Sequence, residues 1–313
     1  MRKIPADMMV MLMMGQEKGL NPTLFDDRLL ESGVRRIRNL TYLEGDERDA
    51  QRRRLDLYLP PSGPPHPLIV WMHGGGWRIG SKDDLFGLYG RIGAVFAERG
   101  IAWANINYRL TPRVQHPGHI DDCAAAVAFL IRQAPEFNLN PEGVFLAGHS
   151  AGAHLAALLG LDERFLRAHG IESRSVTRGI MASSGIYRLT EGTGAESAEA
   201  TEESGRNAAG DLAKHPLGRQ ALAFPPEMRR DASPIEHVAT GGAPFLLLAE
   251  EFGFPDTLAQ MRMMEGALVA AQVPVEAVVL PGLNHVTMLG DMLRAGNPTV
   301  EAMLRFVARN RTA

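Results

Sequence analysis

The sequence is poor in several things that would have set its class at once. It has a single cysteine, Cys123, in 313 residues, so no intrachain disulfide can form. That suits a reducing compartment and removes the small disulfide-stapled folds from consideration. It has no excess of either charge: 33 Lys and Arg against 36 Asp and Glu give a net charge of −3, which leaves no electrostatic footprint for nucleic acid. The run Arg52-Arg53-Arg54 leads straight into the alternating Leu55-Asp56-Leu57-Tyr58-Leu59, so it reads as the start of a strand and not as a basic patch. Long apolar runs are missing too. The longest near the N-terminus, Met8 to Met14, is bounded by Asp7 and by Gln16-Glu17-Lys18. It is too short to span a bilayer and makes a poor signal peptide, so a cytoplasmic protein with a packing or cap helix here is expected.

What is present is a large, ordinary globular chain. Hydrophobic residues make up 45% and charged ones 22%, and a chain of this length buries about three quarters of its unfolded surface. Short apolar runs alternate with helical spacing. Strands are expected at 36–43, 52–59, 68–72, 101–107, 144–147, 179–183, 245–249 and 275–280. Helices are expected at 88–98, 120–133, 154–161, 257–271 and 299–309. Such alternation predicts a mostly parallel α/β sheet covered on both faces. Residues 190–213 break the rhythm, being rich in Gly, Ala, Ser, Thr and Glu. An insertion or lid over 190–235 is expected there.

Two glycine-rich segments carry the chemistry. Gly148-His149-Ser150-Ala151-Gly152 fits G-x-S-x-G between a buried strand and a helix, the setting in which a serine stands exposed on a sharp turn. Ser150 is the candidate nucleophile. His73-Gly74-Gly75-Gly76-Trp77 follows the strand at 68–72. Its unobstructed N–H groups at Gly75 and Gly76, with that of Ala151, are candidates for an oxyanion hole. His73, His149 and His154 read as loop-organising or packing residues. The base is expected on a loop after the last strand, where Pro281-Gly282-Leu283-Asn284-His285 supplies His285. The acid should follow the strand at 245–249. Three carboxylates compete there: Asp256 is preferred, although it could equally cap the next helix, and Glu251 and Glu250 are the alternatives. Trp77, Phe86, Phe224, Phe252, Phe254 and the N-terminal methionines are candidates for an apolar pocket.

These motifs, with Asn107-Tyr108-Arg109-Leu110 and His119-Ile120-Asp121-Asp122, resemble the HGGG branch of the α/β-hydrolases. That branch holds the hormone-sensitive-lipase-like carboxylesterases and the related kynurenine formamidases. The resemblance runs from about residue 55 to the end. It implies an α/β-hydrolase domain over 36–313 with a small N-terminal cap over 1–35. It also implies ester or amide hydrolysis through an acyl-enzyme, with no metal or organic cofactor. A short- to medium-chain carboxylesterase is expected. An arylformamidase is the alternative, and a non-catalytic ligand-binding homologue is a third reading. The expected partner is a small-molecule ester, with a homodimer also possible. One departure stands out: the family's acid would fall seven residues before Gln260, and that position is Gly253.

Overall fold

The computed structural model describes residues 32–189, 224–254 and 256–311, with the side chains of 84–86 excepted. Most of the expected N-terminal cap and the 190–213 stretch of the expected lid lie outside these residues, as do Phe86's side chain and the N-terminal methionines. Eight strands form one sheet: β1 (Arg35–Thr41), β2 (Arg54–Leu59), β3 (His66–Met72), β4 (Ala102–Ile106), β5 (Leu139–His149), β6 (Thr177–Ser183), β7 (Phe245–Phe252) and β8 (Val275–Asn284). Their order is β1-β2-β4-β3-β5-β6-β7-β8. The β1–β2 and β2–β4 pairings are antiparallel, and every later pairing is parallel. The fold expected from the strand–helix rhythm is the fold observed.

Five longer helices cover the sheet: α1 (Asp84–Ala97), α2 (Gly118–Arg132), α3 (Ala151–Leu161), α4 (Thr257–Ala270) and α5 (Pro298–Asn310). Strand side chains point alternately to the two faces, so each strand feeds two cores. Leu68, Val70 and Met72 of β3 pack with Leu247 and Ala249 of β7 and with residues of α2, α3 and α4. Ile69 and Trp71 of β3 pack with Leu246 and Leu248 of β7 and with residues of α1 and α5. Continuous apolar runs such as Leu68–Met72 are what a sheet buried on both faces requires.

The winding reverses between β3 and β5, which lie side by side at the centre. Open α/β sheets bind ligands outside the carboxyl ends of strands at such a switch point. The HGGG loop leaves β3 there and Ser150 leaves β5 there. The other family-like motifs brace this edge. Arg109 forks onto Asp122 with Nε and Nη2 each 2.8 Å from a carboxylate oxygen, which ties the chain after β4 to α2. Tyr108 donates its hydroxyl to the His73 carbonyl at 2.8 Å and stacks on the His73 ring at 4.3 Å.

β5 spans Leu139–His149 against an expected 144–147, and two later strands also run further than the sequence suggests. β7 continues through Glu250 and Glu251 to Phe252, and β8 continues to Asn284. Among the described residues, no helix is long and apolar enough to cross a membrane.

Candidate active site

The elbow is built from close contacts. Ser150 has φ +56° and ψ −119°, a strained conformation for a residue with a side chain. A Cβ on Gly148 would stand 2.8 Å from the Met72 carbonyl oxygen. One on Gly152 would lie 2.6 Å from the His73 carbonyl oxygen and nearer still to Met72. Only glycine lets β5, α3 and β3 meet this closely. Ser150 itself stays half-buried, and its N–H donates to the Ser183 carbonyl at 2.8 Å, which fixes the turn against β6.

The HGGG loop lies against this turn. A Cβ on Gly74 would come within 3.4 Å of Ser150 Cβ. Gly75 has φ +111° and Gly76 φ +58°, so the loop turns through conformations that favour glycine. The carbonyl of Gly75 accepts from the N–H groups of Arg78 and Ile79, each at 3.1 Å. Ala151 opens α3, so its N–H has no carbonyl partner within that helix. The three expected oxyanion donors therefore come from two segments in contact beside the serine.

His285 is buried, directly after β8. Its Nδ1 lies 2.9 Å from Glu250 Oε1, which leaves Nε2 as the nitrogen able to take a proton. The His149 ring packs on it at a centroid distance of 4.4 Å, and the Phe254 ring at 4.5 Å. His149 precedes Ser150 in the chain, so it couples the position of the His285 ring to the elbow.

The acid preferred from the sequence is not the one the structure brings to His285. Asp256 stands exposed at the start of α4, and its side chain makes no capping bond. Glu251 points to the surface and accepts from the Gly282 N–H at 2.8 Å, which braces the loop leading to His285. Glu250 is 1% exposed and meets Nδ1. The physical reason is the length of β7: the strand carries position 250 under the β8 loop, while 256 falls beyond the turn into α4. Burial alone would raise the Glu250 carboxyl. The hydrogen bond and charge of His285, together with the Ser184 hydroxyl, outweigh it and bring the carboxyl down to about 2. Ser184 donates to Oε2 of Glu250 and also lies 3.0 Å from Met288 Sδ. It sits just past β6 with φ +54° and went unnoticed in the sequence. Its one signal there was a serine at the carboxyl end of the strand next to the nucleophile's.

His154 serves packing, and His116 pairs with Asp231 at 2.9 Å. His154 Nε2 meets the Ala232 carbonyl at 2.7 Å. Trp77, Phe224 and His154 form an edge-to-face group, with Trp77 5.0 Å from each of the other two rings. Trp77 and Phe224 are thus core residues and, among the described residues, line no pocket, while Phe252 is 65% exposed. His237 lies 3.7 Å from Asp162, away from the elbow, and His215 is outside the described residues. Among the described residues, no group of three or more His, Cys, Asp or Glu side chains is placed to hold a metal ion.

Burial holds His73, His149 and His154 near a pKa of about 3 and His119 near about 4, against an ordinary 6.5. Depressed values mean that the folded state refuses protons which the unfolded chain accepts. The stability these neutral rings contribute is present above pH 6.5 and is lost as pH falls towards 3–4. Each such group weakens the fold by up to ~1.4 kcal/mol per pH unit within that window. We therefore expect acid unfolding above pH 4, with uptake of about three to four protons. A pH series of thermal melts followed by circular dichroism checks this, and a melting temperature unchanged from pH 7 to pH 4 would contradict it.

The sequence matches the BD-FAE family over residues 55–253, more than half of the chain. The match ends at Gly253, so His285 lies beyond it. The chain is 28% identical to esterase LipC of Mycobacterium tuberculosis over 245 residues, covering 78% of this chain and 58% of that protein. It is 32% identical to the kynurenine formamidase of Danio rerio over 133 residues, covering 42% of this chain and 43% of that one. The chain spans about half the length of the curated relatives it matches. Among solved structures, esterase B from Lactobacillus rhamnosis is similar with a TM-score of 0.70 at 20% identity, covering 93% of this chain and 94% of that one. The parallel sheet, the elbow after β5 and the matched span agree: the chain has the α/β-hydrolase fold and belongs to the BD-FAE family.

Proposed function

We propose that the protein is a serine hydrolase that cleaves carboxylic esters through an acyl-enzyme. The observation that carries this is the buried Glu250–His285 pair, packed by His149 onto the strained elbow of Ser150. In this reading Ser150 Oγ attacks the acyl carbonyl while His285 Nε2 takes its proton. Glu250 holds the ring and balances the imidazolium. The N–H groups of Gly75, Gly76 and Ala151 receive the developing oxyanion. His285 then protonates the departing alkoxide, and water repeats the sequence to release the acid. Asp256 has no part in it.

We take an apolar acyl or aryl group as the substrate class, with the Phe254 ring beside His285 as an aromatic contact at the base. Similarity to both an esterase and a kynurenine formamidase makes aryl formamides the second substrate class to test. The lone, buried thiol of Cys123 supports a reducing compartment, and we place the protein in the cytoplasm on that ground.

The substrate test is a panel of p-nitrophenyl esters from acetate to decanoate, run beside N-formylkynurenine. We expect kcat/KM to peak among the short to medium esters. Turnover of N-formylkynurenine that exceeds every ester by orders of magnitude would replace the esterase reading with the formamidase one.

A further inference from the structure

Lys82 is a cation with no place in the chemistry above, and it is buried. Its side chain is 1% exposed, as is that of Asp56. Nζ lies 2.9 Å from Asp56 Oδ1 and 2.6 Å from Asp83 Oδ2. Asp56 stands on β2, where it also receives Arg36 Nη2 at 3.1 Å and the Asn39 N–H at 2.9 Å. Burial alone would raise the Asp56 carboxyl, but the Lys82 ammonium and the Asn39 N–H outweigh it and hold it below its ordinary value. A buried ion pair is a weak source of stability, because an apolar pair of the same size packs as well or better. What such a pair fixes is position.

Lys82 closes the segment that carries the expected oxyanion donors, and that segment folds back on itself. Gly80, at φ +101°, passes so close to its start that a Cβ there would lie 2.6 Å from His73 Nδ1. Residues 73–80 thus form one closed turn, and its far end is held in place. Arg52 Nη1 donates to the Gly80 carbonyl at 2.5 Å, and the Lys82 N–H donates to Asn107 Oδ1 at 2.6 Å. Asn107 Nδ2 in turn donates to the Gln51 carbonyl at 2.8 Å. These bonds hold the main chain, and the Lys82–Asp56 pair ties it to the sheet. β2 pairs with β4, and β4 pairs with β3, the strand that feeds the turn. Both ends of the turn are therefore anchored to one sheet.

We propose that the buried Lys82–Asp56 pair positions the HGGG turn, and with it the N–H groups of Gly75 and Gly76, against Ser150. Lys82 and Asp56 are positioning residues, which act through the turn and not on the substrate. This rests on the serine-hydrolase reading above.

The test compares the full-length parent with Lys82→Met, Asp56→Asn and the double variant. Methionine keeps the volume of the stem without the charge, and asparagine keeps an acceptor for the Asn39 N–H. Three things are measured: kcat and KM on p-nitrophenyl butyrate, Ki for an alkyl trifluoromethyl ketone, and the melting temperature. Addition of Ser150 Oγ to that ketone forms an oxyanion with no leaving group, so Ki reports on the donors. A misplacement of about 1 Å, caused far from the chemistry, costs up to ~10²-fold. The double variant should therefore lose ~10–100-fold in kcat, with Ki weakened by a comparable factor. KM should stay within about threefold, and the melting temperature within a few degrees of the parent's. The double should also be no worse than the worse single variant, since the two residues act as one unit. A lowered melting temperature with parental kcat and Ki makes the pair purely structural, which overturns the positioning role and leaves the hydrolase reading intact. A folded parent inert on the ester and unaffected by the ketone overturns both. If the double variant fails to fold, Asp56→Asn decides, since Asp83 still partners Lys82 there. A loss in kcat and Ki at parental KM supports the pair, and parental values of both overturn it.

Discussion

Replacing Ser150 by alanine should lower kcat on the best ester by ~10⁵–10⁶ while leaving the fold intact, because removing the nucleophile of such a constellation costs about as much as removing all of it. The substitution deletes one oxygen from a half-buried side chain, so no cavity opens and no buried partner is stranded. It also replaces a serine at φ +56° with a residue that tolerates that angle no better. The melting temperature should therefore stay within a few degrees of the parent's. A residual rate ~10³ above water would remain, since the oxyanion donors are untouched. Initial rates at saturating ester, beside a thermal melt, check both halves. A folded Ser150→Ala protein with more than a tenth of the parental kcat would assign the nucleophile elsewhere.

Replacing Glu250 by glutamine should lower kcat by ~10³–10⁴, with KM nearly unchanged. The amide keeps the size and the contact with Ser184, so the loss measures the negative charge opposite Nδ1. An amide can also offer an N–H to that nitrogen, and a donor there would stabilise the wrong tautomer of the ring. Asp256→Asn, made beside it, should stay within about twofold of the parent, as an exposed substitution remote from partners does. The pair decides between the carboxylate chosen by residue type and the one chosen by position. If Asp256→Asn fell by orders of magnitude and Glu250→Gln did not, the α4 end would have to move to His285, and the buried pair seen here would not be the working one.

The two variants also mark where the sequence stopped being readable. Ser150, the HGGG loop and the layered α/β sheet were legible because each depends on local chemistry. Glycines are needed within two residues of the serine, and the strand periodicity is set within a few residues. The position of His285, directly after β8 and against His149, was legible from order along the chain. The carboxylate that meets His285 was not, because nothing local distinguishes Glu250 from its neighbours. From the sequence the strand ends at Ala249, with both glutamates, Glu250 and Glu251, on the loop after it. One of them, Glu251, does face the surface. The other is compensated by His285 and Ser184, which lie 35 and 66 positions away in the chain. A buried carboxylate becomes affordable only through such long-range partners, and residue type alone pointed instead to Asp256.

The most direct test of the account is covalent: incubation with an alkyl p-nitrophenyl phosphonate, followed by intact-mass measurement and peptide mapping, for the parent, Ser150→Ala and Glu250→Gln. The account predicts one phosphonyl adduct per parent chain, on Ser150. It predicts the same adduct formed far more slowly in Glu250→Gln, and none in Ser150→Ala. An adduct of equal yield in Ser150→Ala, or a parent protein that stays unlabelled while fully folded, would contradict it.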